Sequence, residues 1–426
     1  MNIIKKIKSL RSLSNVRNGV VFAFFSFLNQ GISFILTMFL VSILTKEDFG
    51  NLNLFNTLVI VVTALIPLGS MGFVSANFFL LDKKGTQKIL TNVYAISLFT
   101  FGSIFVIFLL LGGWLENLIG LSKSNQILVL IICFCQLYST INLEIWRLQE
   151  KPLMYGLYTT GIVLMNVCLT LLFIVILDEG WEGRVYALLT TNLIFFIISF
   201  LFLCKRKWLV ISKVDFNLLK KILIFGLPLV PHILTGWMRQ GIDKYFINYS
   251  LDLAQVAVFS FALNLSNIIQ IIGIAFNASN SVFIFKHLSN SQSEGLPVLI
   301  KQIKLMLIFF AGSSILIGGG SSIAIPFFFP KYVDSIPLLF PLCLSAFFQC
   351  VYLLFVNFLF FYKKTRVLMY ITVGVSLFHI FLSYNLTKYS ICYTAYINLL
   401  SNLIIAILVM WQAKKILNKN KLHSNE

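Results

Sequence analysis

Charged residues are scarce in this sequence. Only 11% of its 426 residues are Asp, Glu, Lys or Arg, whereas 58% are apolar, and the mean hydropathy is +0.91. A soluble protein of this length could not bury so much apolar surface, because part of every folded surface has to be polar. We therefore expect lipid to cover much of the molecule.

The sequence also lacks the motifs of enzymes and metal sites. Its four histidines are scattered, and no glycine-rich phosphate loop, nucleophile elbow or His-x-x-x-His pair occurs. The seven cysteines lie within or beside apolar runs and have the character of small buried apolar residues. We therefore expect no enzymatic activity, no cofactor and no metal ion.

Long apolar runs are what the sequence has in abundance. A helix needs about 20 apolar residues to cross the hydrocarbon of a bilayer, and each run is near that length. The pattern predicts an all-α membrane protein with about twelve transmembrane helices. The predicted spans are 19–44, 51–80, 89–113, 126–143, 153–177, 185–204, 218–248, 253–285, 298–325, 335–361, 367–385 and 391–412.

The net charge of +18 lies in short blocks between the runs. Basic residues concentrate before the first span, in every second connection and in the tail, which is the pattern of cytoplasmic segments that face anionic lipid. This distribution predicts both termini in the cytoplasm and argues against a nucleic-acid partner. The longest predicted outside loop lies near 114–125. The basic residues of all the predicted outside loops are Lys46, Lys123, Arg184, Lys331 and Lys388.

A basic linker divides the predicted spans into two groups of six. The predicted organisation is a basic cytoplasmic segment 1–18, a six-helix lobe 19–204, the linker 205–217, a second six-helix lobe 218–412 and a basic tail 413–426. Transporters built from two such repeats bind their substrate at the repeat interface.

The predicted seventh span contains unusual polar residues. His232, Arg239 and Asp243 fall on one face of a continuous helix, and a charge at the bilayer centre costs about 2.5–3.5 kcal/mol. One interpretation is a polar cavity in which Arg239 holds an anionic head group, with Lys244 nearby. The other is a structural Arg239–Asp243 pair, with Lys244 reaching toward water. Pro228 and Pro231 should bend this span.

Other polar side chains leave two interpretations open. Amide and hydroxyl stripes on spans one, two and eight would either line a sugar-binding cavity or join helices. Arg147, at the inner end of span four, would either meet a phosphate or anchor the span. We interpret His379 as an isolated, packed histidine. The amides chosen as substrate-binding candidates are Gln30, Asn56, Asn77, Asn264 and Asn267.

Three stretches resemble a known family. They are the run 40–50, LVSILTKEDFG, the run 66–72, IPLGSMG, and the run 225–231, FGLPLVP, followed by Trp237 and by Ile242-Asp243-Lys244-Tyr245. In order and spacing they resemble the Wzx-type polysaccharide transporters of the multidrug/oligosaccharidyl-lipid/polysaccharide (MOP) exporter superfamily. The resemblance covers essentially the whole chain.

This resemblance implies two six-helix lobes around a central cationic cavity in a bacterial inner membrane. The implied substrate is undecaprenyl diphosphate carrying an O-antigen or capsule repeat unit, moved to the outer leaflet by alternating access. Its diphosphate would pair with Arg239, Lys244 or Arg147, and its sugars would meet Asn, Gln and aromatic side chains. The resemblance further implies a counter-flow of protons or sodium. It also implies contact with membrane lipid and partnership with other polysaccharide-assembly membrane proteins.

Two other functions compete with this one. A drug/cation antiporter of the same superfamily would need an acidic cavity, whereas Asp243 is the one acid well inside a predicted span. A membrane-embedded polysaccharide polymerase would need a large outside loop with catalytic arginines, and every predicted loop is short.

Overall fold

The computed structural model describes residues 2–210, 213–290 and 292–423, and this part of the chain is helical. Its α-helices are α1 Asn2–Ile43, α2 Lys46–Leu65, α3 Ser70–Asn77, α4 Lys83–Ile119, α5 Lys123–Leu148, α6 Pro152–Leu171, α7 Gly180–Lys205, α8 Phe216–Gly226, α9 Leu229–Leu234, α10 Trp237–Gln240, α11 Ile242–Ser250, α12 Leu253–Asn290, α13 Gln292–Phe328, α14 Ile336–Phe361, α15 Thr365–Leu386 and α16 Ile391–His423. A π-helical segment, Leu172–Ile176, extends α6, and a 3-10 segment, Pro330–Ser335, precedes α14.

Twelve helical segments of the described chain are long and apolar enough to cross a membrane. The predicted all-helical fold with about twelve spans is therefore confirmed. The seventh of these segments, Phe216–Gln240, contains α8, α9 and α10.

Short polar residues fix where several of these helices begin. The Thr45 hydroxyl accepts a hydrogen bond from the Asp48 N–H, the Asp82 carboxylate accepts one from Gly85, and Asp215 accepts two at the start of α8. Each cap satisfies a backbone N–H that has no partner inside its own helix. The loops can therefore be short while the helix ends stay satisfied.

Three sequence predictions need correction. The second and seventh spans are not continuous helices, because α2 and α3 are separated by a turn and the seventh span is divided into short helices. α4 extends to Ile119, so the predicted loop 114–125 shrinks to the few residues before α5. α7 begins at Gly180, which places Arg184 inside a helix rather than in an outside loop.

The break between α2 and α3 packs closely against α8. Leu68 and Gly69 have φ angles of 45° and 70°, and the Thr100 hydroxyl donates to the Ile66 carbonyl at 2.6 Å. A Cβ atom at Gly226 would lie 2.3 Å from the Leu68 carbonyl oxygen, and one at Gly69 would lie 2.5 Å from the Gly226 oxygen. Glycine at both positions is what allows the two backbones to meet.

The chain divides into two compact units, Met1–Ile233 (unit 1) and Leu234–Glu426 (unit 2). The division falls within the seventh span, so α8 belongs to unit 1, whereas α10 and α11 belong to unit 2. The predicted lobe boundaries, with the linker at 205–217, stay a prediction.

Each unit has its own apolar core. In unit 1, Trp146, Tyr158 and Phe195 pack edge to face, with ring centroids 5.1–5.2 Å apart along the series. In unit 2, α14 lies centrally against α12 and α16, and its residues Leu354 and Phe358 are fully buried with Phe310 of α13. These cores hold the helices that carry the polar residues described next.

Candidate functional site

A buried polar cluster in unit 2 surrounds Asp243. This residue lies in the first turn of α11 and is fully buried. Its Oδ1 atom accepts a hydrogen bond from the Ser383 hydroxyl at 2.5 Å and lies 3.0 Å from Nε2 of His379. Its Oδ2 atom has no hydrogen-bond partner among the described residues. A buried carboxylate requires such partners because its transfer from water is costly.

His379 links Asp243 to a third helix. Its Nδ1 atom lies 2.9 Å from the hydroxyl of Ser401 in α16, and all three side chains are fully buried. Because an ionised carboxylate only accepts, Nε2 must carry a hydrogen atom, and Ser401 donates to Nδ1 when the imidazole is neutral. If Nδ1 is protonated, the same hydroxyl can accept instead. The Ser401 hydroxyl can therefore form this hydrogen bond whether Nδ1 donates or accepts.

A chain of hydroxyl groups leads away from Asp243. The Ser383 hydroxyl lies 3.1 Å from that of Thr387, which lies 2.9 Å from that of Thr394. All three residues are buried. The chain runs along the end of α15 to the first turn of α16, and it connects the buried carboxylate with the turn that joins these helices.

Arg239 lies beside this cluster but does not pair with Asp243. It is 7% exposed, its Nη1 atom donates to the Ser376 hydroxyl at 3.1 Å, and its carbonyl accepts from Asn398 at 2.7 Å. No acidic side chain in the described part of the chain forms an ion pair with it. Of the two sequence interpretations, a structural Arg239–Asp243 pair is therefore wrong for this structure. A buried guanidinium without an anionic partner attracts anions.

The amide network around Asn398 holds this arginine in place. The Asn398 Oδ1 atom accepts from the Ser345 hydroxyl at 2.6 Å, and Asn402 donates to both Ser345 and Asn398. These side chains come from α14 and α16 and are buried. The backbone of α10 is thus fixed by hydrogen bonds between side chains far apart in sequence.

The structure places the predicted site residues of the seventh span in different short helices. His232 lies in α9 and falls within unit 1, whereas Arg239 and Asp243 lie in α10 and α11 of unit 2. The expectation that all three share one face of a helix stays a prediction. Lys244 follows Asp243 in α11 and is half-buried.

The amide candidates differ in their surroundings. Gln30 donates to Ser26 in its own helix, and Asn77 donates to the Phe73 carbonyl. Asn264 and Asn267 are half-buried in α12. Asn56 is exposed and lines a small cavity within unit 1.

Two further residues of the predicted stripe on span eight join helices. Asn277 accepts a hydrogen bond from Asn357 at 2.7 Å, and Asn280 accepts one from Gln302 at 3.1 Å. These two amides connect α12 to α14 and α13. The interpretation of polar stripes as helix contacts therefore holds for this part of the stripe.

Arg147 has an acidic partner. Its Nη2 atom lies 2.6 Å from Oε1 of Glu144, one turn earlier in α5, and the arginine side chain is 56% exposed. The same carboxylate oxygen accepts from the Ser75 hydroxyl of α3. This arrangement fits the anchoring interpretation of Arg147, and its phosphate-binding role stays a prediction.

Sequence reasoning missed two residues. His379 was interpreted as isolated, yet it is the partner of Asp243, 136 residues away. Arg184 was assigned to a loop, yet it donates to the side chains of Asn166 and Thr170 in α6. The sequence spacing of α6 and α7 does not indicate the contact of Arg184 with α6. A polar residue on each of two neighbouring apolar helices does indicate that the two side chains can pair.

No protein-family model matches the sequence. It is 20% identical to a protein of the Lsg locus of Haemophilus influenzae over 402 residues, which cover 90% of this chain and 94% of the relative. It is 23% identical to a second membrane protein of that organism over 358 residues, which cover 79% and 81% of the two chains. The chain is thus a multi-pass membrane protein with distant relatives of similar length.

The fold is similar to that of solved transporters. An inward-facing multidrug-resistance MATE transporter of the MOP superfamily superposes with a TM-score of 0.74 at 15% identity and covers 92% of this chain and 95% of its own. A MOP superfamily transporter from Pyrococcus furiosus, whose binding pocket has reverse polarity, superposes with a TM-score of 0.65 at 17% identity and covers 96% of both chains. The chain therefore has the MOP superfamily transporter fold.

Proposed function

We propose that this protein is a flippase that moves undecaprenyl-diphosphate-linked oligosaccharide units, of the O-antigen or capsule type, to the outer leaflet by alternating access. The observation that carries the proposal is Arg239, a buried guanidinium with no acidic partner among the described residues. An arginine fork suits a diphosphate because it offers two parallel donors. The MOP fold supports a transport function, and the resemblance of the motifs supports this substrate.

We further propose that Asp243 and His379 form the site of a coupling ion. Their hydrogen bonds hold a carboxylate whose second oxygen has no partner among the described residues, and the imidazole can gain a proton while it keeps both contacts. A proton suits this chemistry directly. Sodium is the alternative, because carboxylate and hydroxyl oxygens from Asp243, Ser383 and Thr387 would suit a hard cation.

The test is genetic complementation. The gene is deleted from its host, and surface polysaccharide is measured after the wild type, Arg239→Ala or Ser376→Ala is restored, with each protein's membrane abundance checked by blot. We expect deletion to abolish surface polysaccharide. Arg239→Ala should restore at least roughly tenfold less surface polysaccharide than the wild type, because a charge-assisted contact is worth about 1.5–3 kcal/mol. Ser376→Ala keeps the charge of Arg239 and should restore more polysaccharide than Arg239→Ala.

Each alternative outcome has a definite meaning. Intact polysaccharide in the deletion strain would reject the flippase assignment. Increased sensitivity of that strain to cationic drugs would then favour the drug/cation antiporter, since the MATE neighbour is named a multidrug-resistance transporter. Full restoration by Arg239→Ala at normal abundance would keep the flippase and reduce this arginine to a structural role.

A further inference from the structure

Unit 1 contains a small neutral cavity, which does not include the residues Arg239 and Asp243 on which the proposed function rests. Helices α1, α2, α5, α6 and α7 enclose about 230 Å³. Its apolar lining is aliphatic, and no lining residue carries a formal charge. Its polar lining consists of two hydroxyl and four amide side chains, from Ser33, Asn56, Gln136, Asn166, Thr191 and Asn192.

Much of the hydrogen-bonding capacity of this lining is unused within the protein. The side chains of Ser33, Asn56 and Gln136 form no hydrogen bond with a described residue. Thr191 is fully buried, and its hydroxyl also lacks a partner there. Buried polar groups are normally paired. Thr191 is buried and Gln136 is half-buried, whereas Ser33 and Asn56 are exposed. The unpaired side chains of Thr191 and Gln136 beside one cavity indicate a site for a polar ligand.

Two of the amides have fixed and opposite orientations. The Arg184 guanidinium can only donate, so it must contact Oδ1 of Asn166, which leaves the Nδ2 donor of Asn166 unused by any described residue. Asn192 instead donates from Nδ2 to the Leu188 carbonyl at 2.8 Å, which leaves its Oδ1 acceptor available. The cavity therefore offers a fixed donor and a fixed acceptor.

We propose that this cavity binds one uncharged sugar ring of the transported substrate. Each sugar hydroxyl both donates and accepts, which matches a lining of amides and hydroxyls, and an uncharged ring needs no counter-charge. The cavity is smaller than the roughly 300–1,000 Å³ of sites for drug-sized ligands, so it suits a single ring. The identity of the substrate rests on the proposed function, and a cationic drug would find no acidic group in this lining.

The test is saturation-transfer NMR on the purified full-length protein in detergent. The probes are the methyl glycosides of glucose, galactose, rhamnose and N-acetylglucosamine. The variants are Thr191→Val and Gln136→Met, and the matched control is Thr190→Val, the same substitution at the adjacent residue, which does not line the cavity. We expect one or more glycosides to bind the wild type and Thr190→Val equally. Each cavity variant should bind roughly three- to tenfold more weakly, the effect of one hydrogen bond.

Thr191→Val separates ligand binding from folding. Because its hydroxyl has no partner among the described residues, replacement by an isosteric methyl group should leave the melting temperature unchanged or raise it. A glycoside affinity that falls while the melting temperature holds supports the sugar subsite. No glycoside binding to the wild type, or equal binding by all variants, overturns it.

A second measurement distinguishes this inference from the proposed function. Wild type and Thr191→Val are reconstituted into vesicles with undecaprenyl diphosphate or with undecaprenyl-diphosphate-linked N-acetylglucosamine. Glycoside binding without transport of either lipid would keep the subsite and reject the flippase. Transport of the sugar-bearing lipid that Thr191→Val leaves unchanged would keep the flippase and reject the subsite.

Discussion

At the scale of single residues, the two buried charges of α10 and α11 have different partners. The Oδ1 atom of Asp243 has two polar partners, the imidazole of His379 and the hydroxyl of Ser383. Arg239 is held by neutral groups only. Charge within an apolar environment is retained when it serves a ligand or an ion. A buried guanidinium without an acidic partner among the described residues thus lies beside a buried carboxylate.

Removal of the Asp243 carboxylate should destabilise unit 2. Asp243→Ala leaves His379 Nε2 and the Ser383 hydroxyl buried without their acceptor, and each such group costs about 1–3 kcal/mol. We expect a lower melting temperature in detergent by scanning fluorimetry. Asp243→Asn keeps an acceptor oxygen, so its melting temperature should fall clearly less than that of Asp243→Ala. Equal melting temperatures for wild type and Asp243→Ala would contradict this account of the cluster.

The sequence allowed part of this cluster to be predicted. Arg239 and Asp243 stand out because charges are rare inside apolar runs. His379 could not be assigned to them, because its contact depends on how α15 packs against α11. Spacing along one helix gives no information about a partner 136 residues away.

At the scale of helices, the second and seventh spans are both interrupted. In unit 1, the break in the second span contacts α8, the first helix of the seventh span. Pro67, Leu68 and Gly69 form the turn after α2, and this turn lies against Gly226, the last residue of α8. These residues belong to the motifs 66–72 and 225–231, which carried the family resemblance. The motifs are therefore explained by a common packing site.

Gly226→Ala tests this contact. The added Cβ would meet the Leu68 carbonyl at 2.3 Å, so the two backbones would have to separate. Overpacking of this kind costs about 1–3 kcal/mol, and we expect a lower melting temperature and lower transport. The control is Gly236→Ala, because a Cβ there has nothing within 4 Å. The contact would be unimportant if both variants melted at the same temperature.

Helix positions were easier to predict than helix breaks. Apolar runs located the twelve candidate spans found in the described part of the chain, because length and hydropathy determine which segments can cross a membrane. The divisions at Gly69, Gly236 and Gly241 were not predicted. The bend expected at Pro228 and Pro231 stays a prediction. Glycine and proline show where a helix can break, but tertiary contacts decide whether it does.

At the scale of the whole molecule, the arrangement of charge should determine its orientation in the membrane. The net charge of +18 is concentrated in alternate connections. The turn at Lys363, between α14 and α15, is one of the connections rich in basic residues. The turn at Tyr389, between α15 and α16, is one of the connections poor in them. The first should face the cytoplasm and the second the outside.

Reporter fusions check this orientation. Alkaline phosphatase, which is active only after export, is fused after Lys363 in one truncated chain and after Tyr389 in another. We expect activity at least tenfold higher for the Tyr389 fusion, since an odd number of spans precedes it. The opposite ranking would place both termini outside the cytoplasm and would reverse the predicted direction of the loops.

The 136 residues between Asp243 and His379 also have a consequence for synthesis. A ribosome adds about 5–20 residues per second, so Asp243 leaves the ribosome roughly 7–27 s before its histidine partner. During that time the Asp243 carboxylate lacks the partners that α15 supplies, the imidazole of His379 and the hydroxyl of Ser383. We therefore expect α11 to pack late, after α15 has been made, so that a ribosome stalled before residue 379 leaves α11 more accessible to membrane proteases.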